Sequence, residues 1–163
     1  MAGQLTYNFN TPRGIAGTLF DISPYAIDSR INAETSSDAM LFGMGVVQGD
    51  VPGTNINVPA TTSTIAEFEG ISMASLTTQQ TIPGEVKVYP QTTVGVLRWG
   101  KAWARVAPGE TPAYGDDLFL IISGPNAGMF STDDTNLAIN GKFEGPLGTG
   151  NVAPVVLFNQ KQA

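Results

Sequence analysis

Glycine and proline divide residues 94–122 into short apolar runs, and this pattern constrains the fold more than any other part of the sequence. The runs are rich in Val, Ile, Leu, Phe and Trp, residue types that favour β-strands. Trp99-Gly100-Lys101 is predicted to reverse the chain between two of the strands, and Pro108-Gly109 and Gly115-Asp116 precede a third. The pattern is typical of an antiparallel β-domain that presents surfaces, and nothing in it resembles a catalytic apparatus.

Similar runs along the rest of the chain predict roughly eight to ten short strands and almost no helix. One helical turn is predicted around Pro24–Asp28, and Asn140-Gly141 predicts a hairpin turn. Outside 94–106, the predicted strands cover residues 4–9, 40–47, 65–73, 85–89, 118–122, 129–130, 137–139, 142–144 and 152–158. The sequence therefore predicts a mainly β fold, an antiparallel β-barrel or β-sandwich with little helix.

Residues 1–20 are polar, contain glycine and show no sustained hydrophobic period. They are predicted to form an extended N-terminal arm, and residues 21–163 a single β-rich domain. The arm carries scattered apolar side chains, so we expect it to lie on another surface rather than extend into water. Its candidate contact residues are Leu5, Tyr7, Phe9, Arg13, Leu19 and Phe20.

The chain of 163 residues contains no Cys and no His. This excludes cysteine nucleophiles, disulfides, Cys/His zinc sites and histidine acid–base catalysis, and no cofactor is expected. The absence of disulfides fits synthesis in a reducing cytoplasm. The first residues also lack the basic and apolar pattern of a signal peptide.

Charge is sparse, with 13% charged residues and a net charge of −6. The eight Lys and Arg residues are scattered singly, so neither nucleic acid nor an anionic membrane is an expected partner. A low content of charge is typical of surfaces that lie against other proteins, because each desolvated charge needs a partner.

Two acidic pairs, Asp116-Asp117 and Asp133-Asp134, are the clearest candidates for chemistry. Adjacent strand residues point to opposite faces, so neither pair forms a catalytic dyad alone. Aspartate at such positions usually accepts hydrogen bonds from backbone N–H groups in turns. A calcium site built from Asp133, Asp134 and Asn136 is an alternative, although the regular ligand spacing of a calcium loop is missing.

Trp99 and Trp103 are predicted to pack in the core or in a subunit interface, because a buried Trp contributes ~1.5–3 kcal/mol or more. With Tyr114 they offer an alternative, a platform that binds carbohydrate. That alternative describes a carbohydrate-binding tail or adhesin module.

Four segments in order carry a family resemblance. They are residues 17–30 (GTLFDISPYAIDSR), 41–47 (LFGMGVV), 68–72 (FEGIS) and 94–122, the last with Trp99-Gly100 and Gly115-Asp116. Together they resemble the structural cement, or head decoration, proteins of tailed bacteriophages. The resemblance extends from about Gly17 to Phe158.

The resemblance implies a virion component, not an enzyme, that binds the outer surface of the assembled head. There it would bridge capsomers and stabilise the shell, with the major capsid protein as its partner and a homotrimer as its own state. In that setting, Arg13 and Arg30 either pair with acidic groups of the shell or form internal salt bridges.

Overall fold

Nine β-strands and one short 3-10 helix make up the part of the chain that the structure describes. A computed structural model describes residues 14–74 and 87–159. The strands are β1 (Ala26–Asn32), β2 (Gly45–Gln48), β3 (Asn55–Asn57), β4 (Phe68–Met73), β5 (Thr93–Arg105), β6 (Asp117–Leu120), β7 (Phe130–Ser131), β8 (Leu137–Phe143) and β9 (Val152–Leu157). The 3-10 helix covers Ile65–Glu67. The prediction of a mainly β fold with little helix is confirmed.

Strand β5 is the longest strand and belongs to both halves of the fold. Its first half pairs with β1 and β4, and from Gly100 onward it pairs with β9. The predicted chain reversal at Trp99-Gly100-Lys101 is therefore wrong. Gly100 adopts φ +122°, and a Cβ there would lie 2.6 Å from the Tyr25 Cβ. Because it has no Cβ, Gly100 lets β5 pass close to Tyr25 without reversing. Both halves of β5 thereby keep their hydrogen bonds to neighbouring strands, which a reversal would remove.

The first half of the fold is a closed barrel. Its strands follow the order β1-β3-β2-β4-β5, and β5 pairs back to β1. All pairs are antiparallel except β1 with β3. Closure gives each strand of this half a neighbour on both sides, although β1 meets β3 only at Ile31 and Asn32. One buried cluster belongs to it, made of Met40, Val46, Ile56, Val88, Val94 and Val96.

The second half is a sheet in the order β5-β9-β8-β6-β7, and a parallel bridge between Val106 and Phe130 joins β7 back to the end of β5. The larger core cluster combines residues of this sheet with Phe68, Ile71 and Leu97 from the barrel. The two halves therefore share buried apolar surface along β5.

Two further local predictions are wrong. Asn140-Gly141 does not form a hairpin turn, because β8 runs through it and pairs with both β6 and β9. A Cβ at Gly141 would lie 2.5 Å from the Val156 oxygen, so this glycine permits a close approach of two strands. The predicted helical turn at Pro24–Asp28 is instead the start of β1, because Ala26 already pairs with Trp99.

Strand boundaries differ elsewhere too. The predicted loop at 51–63 contains β3, and residues 87–89 of the predicted strand 85–89 are not a strand. The predicted strand at 4–9 lies outside the described residues. Within 14–74 and 87–159, no helix has the length and hydropathy needed to cross a membrane.

Candidate functional site

The segment that precedes β1 is hydrogen-bonded along the second half of β5. The Gly17 nitrogen donates to the Trp103 oxygen at 2.7 Å, and the Trp103 nitrogen donates to the Thr18 oxygen at 2.9 Å. Leu19 forms an antiparallel bridge with Ala102 and packs against the larger core. Of the six predicted arm contacts, Leu19 and Phe20 thus lie on the fold itself, and Leu5, Tyr7, Phe9 and Arg13 lie outside the described residues.

Trp103 is covered by this segment. The Phe20 ring meets the Trp103 ring edge-on, with centroids 5.4 Å apart and an interplanar angle of 70°. Gly14 crosses the indole so closely that a Cβ on Gly14 would overlap it. The Trp103 ring therefore packs against Phe20 and Gly14 of its own chain. It does not present the open face that a carbohydrate platform requires.

Trp99 precedes Trp103 in the same strand, β5, and its side chain is 39% exposed. It borders a depression of about 530 Å³ that is also lined by Pro24, Lys101 and Phe158. Tyr25 and Phe158 are exposed as well. The structure thus separates the environments of the two tryptophans, with Trp103 covered and Trp99 facing outward.

A larger apolar groove, of about 950 Å³, opens where segment 14–20 meets the barrel. Its apolar walls are Ile15, Leu19, Ile27, Phe42, Met73 and Val152, and Arg105 is its charged residue. We call this set of residues the groove. Ile15 is 73% exposed and Ile27 is 40% exposed. Strand β1 positions Ile27, β4 positions Met73, and β5 positions Arg105.

Two glycines let the backbones beneath the groove approach each other. Gly17 and Gly43 both adopt φ +80°. A Cβ at Gly17 would lie 2.8 Å from the Ala74 nitrogen and 2.9 Å from the Phe42 Cβ. The Gly43 nitrogen donates to the Ser72 oxygen at 2.7 Å, and the Ala74 nitrogen to the Gly17 oxygen at 2.7 Å. Segment 14–20, the turn before β2 and the end of β4 are thereby joined into one base for the groove.

Arg105 is half-buried in the groove without an acidic partner. Its Nε donates to the Phe42 oxygen at 2.8 Å. The other cations of residues 14–74 and 87–159 lie in ion pairs: Arg30, Lys87, Arg98, Lys101 and Lys142. Burial lowers the pKa of Arg105, because desolvation disfavours its charged form.

Sequence reasoning missed Arg105 as a site residue, although a signal was present. Ala102, Ala104 and Val106 are fully buried, so the strand period places Arg105 on the opposite face. The period does not show that Phe42 and segment 14–20 come together around it, because those contacts join distant parts of the chain.

Arg30 belongs to an internal charge network. Its guanidinium lies 3.0 Å from Asp28 and 3.3 Å from Glu69, whose side chain is 4% exposed. Arg98 forms a second ion pair with Glu69. Of the two roles left open for Arg30, the structure shows the internal salt bridge.

Asp133-Asp134 and Asp116 lie in loops of the second half, and Asp117 is the first residue of β6. The Asp133 carboxylate accepts from the Thr135 nitrogen at 3.0 Å, and the Asp116 carboxylate accepts from the Ala113 nitrogen at 2.8 Å. The hydrogen bond from Thr135 lowers the pKa of Asp133. Among the described residues, no three His, Cys, Asp or Glu side chains are grouped so that they could hold a metal ion.

The fold is a closed β-barrel extended by a second half, with exposed apolar side chains at the groove and around Trp99. A protein-family model described as "Structural cement protein (E217 gp24/Pam3 gp6)" matches residues 4–158. The chain therefore belongs to the structural cement protein family, and the resemblance noted from the sequence is confirmed. It is a capsid-associated structural component of the phage virion.

A solved structure, described as "The capsid of Myoviridae Phage XM1", contains a chain with the same fold. The TM-score is 0.73 at 18% sequence identity, and the match covers 99% of this chain and 100% of that chain. A search among curated proteins found no match.

Proposed function

We propose that the protein binds the outer surface of the assembled phage head, bridges neighbouring capsomers by contacting the major capsid protein, and stabilises the shell without catalysing a reaction. The observation that carries this proposal is the family membership over residues 4–158. The proposal includes the domain arrangement predicted from the sequence, an N-terminal arm at 1–20 and a β-rich domain at 21–163, and a homotrimer as the binding unit. Residues 14–20 of this arm lie along β5, so residues 1–13 are the part proposed to reach the shell.

The distribution of exposed apolar side chains supports an adhesive role. Ile15, Ile22, Tyr25, Trp99, Tyr114 and Phe158 are all exposed, although both halves of the fold have well-filled cores. Covering a fully exposed side chain such as Ile22 contributes ~1.5–3 kcal/mol, and a symmetric oligomer makes each set of contacts several times over. Modest contacts of one copy would then give tight attachment of the whole oligomer.

The test uses phage heads that lack this protein. Purified protein is added to them, and attachment is measured by co-sedimentation and by imaging of the particles. We expect saturable binding to the outer surface and a higher temperature of DNA release than in undecorated heads. Free protein at all concentrations, or bound protein with an unchanged release temperature, would refute binding or stabilisation respectively.

The role of the arm is tested by removing residues 2–13, which precede the segment hydrogen-bonded to β5. We expect weaker attachment with an unchanged melting temperature, because Gly17 and Thr18 keep their partners. A variant with Leu5, Tyr7 and Phe9 replaced by Ser distinguishes apolar contacts from the length of the arm. Attachment equal to wild type in both variants would contradict the role of the arm.

The homotrimer is tested by light scattering coupled to size exclusion. Trp99 is the exposed member of the two tryptophans proposed for a subunit interface. We expect Trp99→Ala to shift the mass toward one chain, with Tyr114→Ala as the control at another exposed aromatic residue. A monomeric wild-type protein at high concentration would contradict the trimer.

A further inference from the structure

We propose that the groove is a docking site for an extended segment of the shell protein, which places apolar side chains against the groove walls and one carboxylate on Arg105. This inference rests on the proposed function and specifies the contact through which the protein binds the head. The occupant is a peptide segment that combines apolar residues with an Asp or Glu.

The apolar requirement follows from the walls. Ile15 and Ile27 are exposed at the rim although they are large and apolar, and Phe42, Met73 and Val152 continue the surface inward. The volume of about 950 Å³ lies within the ~300–1,000 Å³ of sites that bind ligands. Closely packed backbones at Gly17 and Gly43 form a base that exists before a partner arrives, so little ordering is needed on binding.

The requirement for a carboxylate follows from Arg105. Arg105 is half-buried, and in the described part of the chain it is the cation that lacks an acidic partner. Its Nε is held by the Phe42 oxygen, which fixes the plane of the guanidinium. The remaining N–H donors suit the two oxygens of a carboxylate, which Arg binds in a bidentate manner.

The composition of this chain favours the shell protein over a second copy as the occupant. Residues 1–13 carry scattered apolar side chains, but they contain no Asp or Glu and include Arg13. Residues 160–163 contain no Asp or Glu either and include Lys161. Residues 75–86 contain one acidic residue, Glu85, so a second copy that uses this segment is the outcome against which the test is designed.

The first experiment measures attachment of Arg105→Glu to undecorated heads. We expect affinity to fall on the order of 100-fold or more, because a charge pair at an apolar contact becomes a repulsion. The matched control is Lys142→Glu, another charge reversal at an exposed ion pair on the second sheet. That control should stay within a few-fold of wild type.

A second variant guards against the chance that Arg105→Glu unfolds the chain. Ile15→Ser changes a side chain that is 73% exposed, so the fold should melt at the wild-type temperature while attachment weakens several-fold. If the wild type binds heads and both groove variants bind equally well, the inference is overturned while the proposed function stands. If the wild type itself does not bind, the proposed function fails first.

The occupant is identified by placing a photo-crosslinking residue at Ile27, which is 40% exposed at the rim. Irradiation of decorated heads followed by mass spectrometry should recover a shell-protein peptide that contains Asp or Glu among apolar residues. Recovery of residues 75–86 from a second copy would overturn the assignment, as would rescue of Arg105→Glu by Glu85→Lys within this chain. Reversing the charge of the recovered shell residue should restore attachment of Arg105→Glu.

Discussion

Gly43 lies so close to Gly17 that a Cβ on Gly43 would be 2.9 Å from the Gly17 nitrogen. Gly43 also has φ +80°, a backbone conformation that is unfavourable for residues with a Cβ. We expect Gly43→Ala to lower the free energy of unfolding by about 2–4 kcal/mol, since both the backbone conformation and the steric overlap oppose it.

Gly53→Ala is the matched control for this change. Gly53 has φ +76°, but nothing lies within 4 Å of its Cβ position. Its substitution should cost only about 1 kcal/mol, from the backbone conformation alone. Urea unfolding measures both variants, and equal losses would show that the contact between the two glycine backbones contributes nothing.

The charge network around Glu69 gives a second prediction. Glu69 is nearly fully buried and pairs with Arg30 and Arg98, so its neutralisation leaves the half-exposed Asp28 as the acidic partner of both guanidinium groups. We expect Glu69→Gln to lower the free energy of unfolding by about 3–5 kcal/mol. The isosteric control, Asp117→Asn at the exposed pair with Lys142, should change it by less than about 1 kcal/mol. A loss at Glu69 no larger than at Asp117 would mean that the network is solvated and structurally dispensable.

The fold class was predictable because short apolar runs separated by Gly and Pro favour strands wherever they occur. Two of the wrong predictions concern glycines, because a glycine in the sequence can indicate either a turn or a close approach of two backbones. Gly100 and Gly141 both resemble turn residues, yet each serves a close approach between backbones inside a continuous strand. Only the neighbouring strands, which are distant in sequence, decide between a turn and a close approach.

The groove was less predictable than the fold. Leu19 was predicted as a contact between the arm and another surface, and no groove was predicted. Arg105, Phe42 and Met73 lie in three separate segments and meet only after the barrel closes. Arg30 could pair internally or externally on sequence grounds, because the burial of Glu69 depends on the same closure.

Phe130 gives a third prediction, on the second half of the fold. It is fully buried in the larger core and bridges Val106 at the end of β5. We expect Phe130→Ala to lower the free energy of unfolding by about 3–5 kcal/mol, because the lost contacts and the remaining cavity both destabilise. Tyr114→Ala, at a side chain 77% exposed, should change it by less than about 0.5 kcal/mol in the same denaturant titration. A small loss at Phe130 would indicate that β7 does not close this half in solution.

The hydrogen bonds of the Glu110 carboxylate predict how the free energy of unfolding depends on pH. Burial acts to raise the pKa of Glu110, but hydrogen bonds from Thr132 and Ser131 outweigh it, and the pKa is lowered below its ordinary value of 4.5. The carboxylate accepts from the Thr132 nitrogen at 2.9 Å, the Thr132 hydroxyl at 2.6 Å and the Ser131 hydroxyl at 2.8 Å. Since the folded state holds the proton less tightly, the unfolded state binds more protons as the pH falls. The stabilisation is therefore present above the ordinary pKa and is lost as the pH falls through the lowered folded pKa.

Below about pH 5, we expect Glu110→Gln to reduce the slope of the unfolding free energy against pH. This slope measures how many more protons the unfolded state binds, and the reduction should correspond to a fraction of a proton per molecule. The variant should be less stable than wild type at neutral pH, and the difference should shrink in acid. Asp134→Asn, at an exposed carboxylate close to the same turn, is the control for the loss of one negative charge there. Denaturant titrations at a series of pH values measure both slopes. Parallel curves for wild type and Glu110→Gln would contradict the role of these hydrogen bonds, because a carboxylate that binds protons equally in both states cannot change stability with pH.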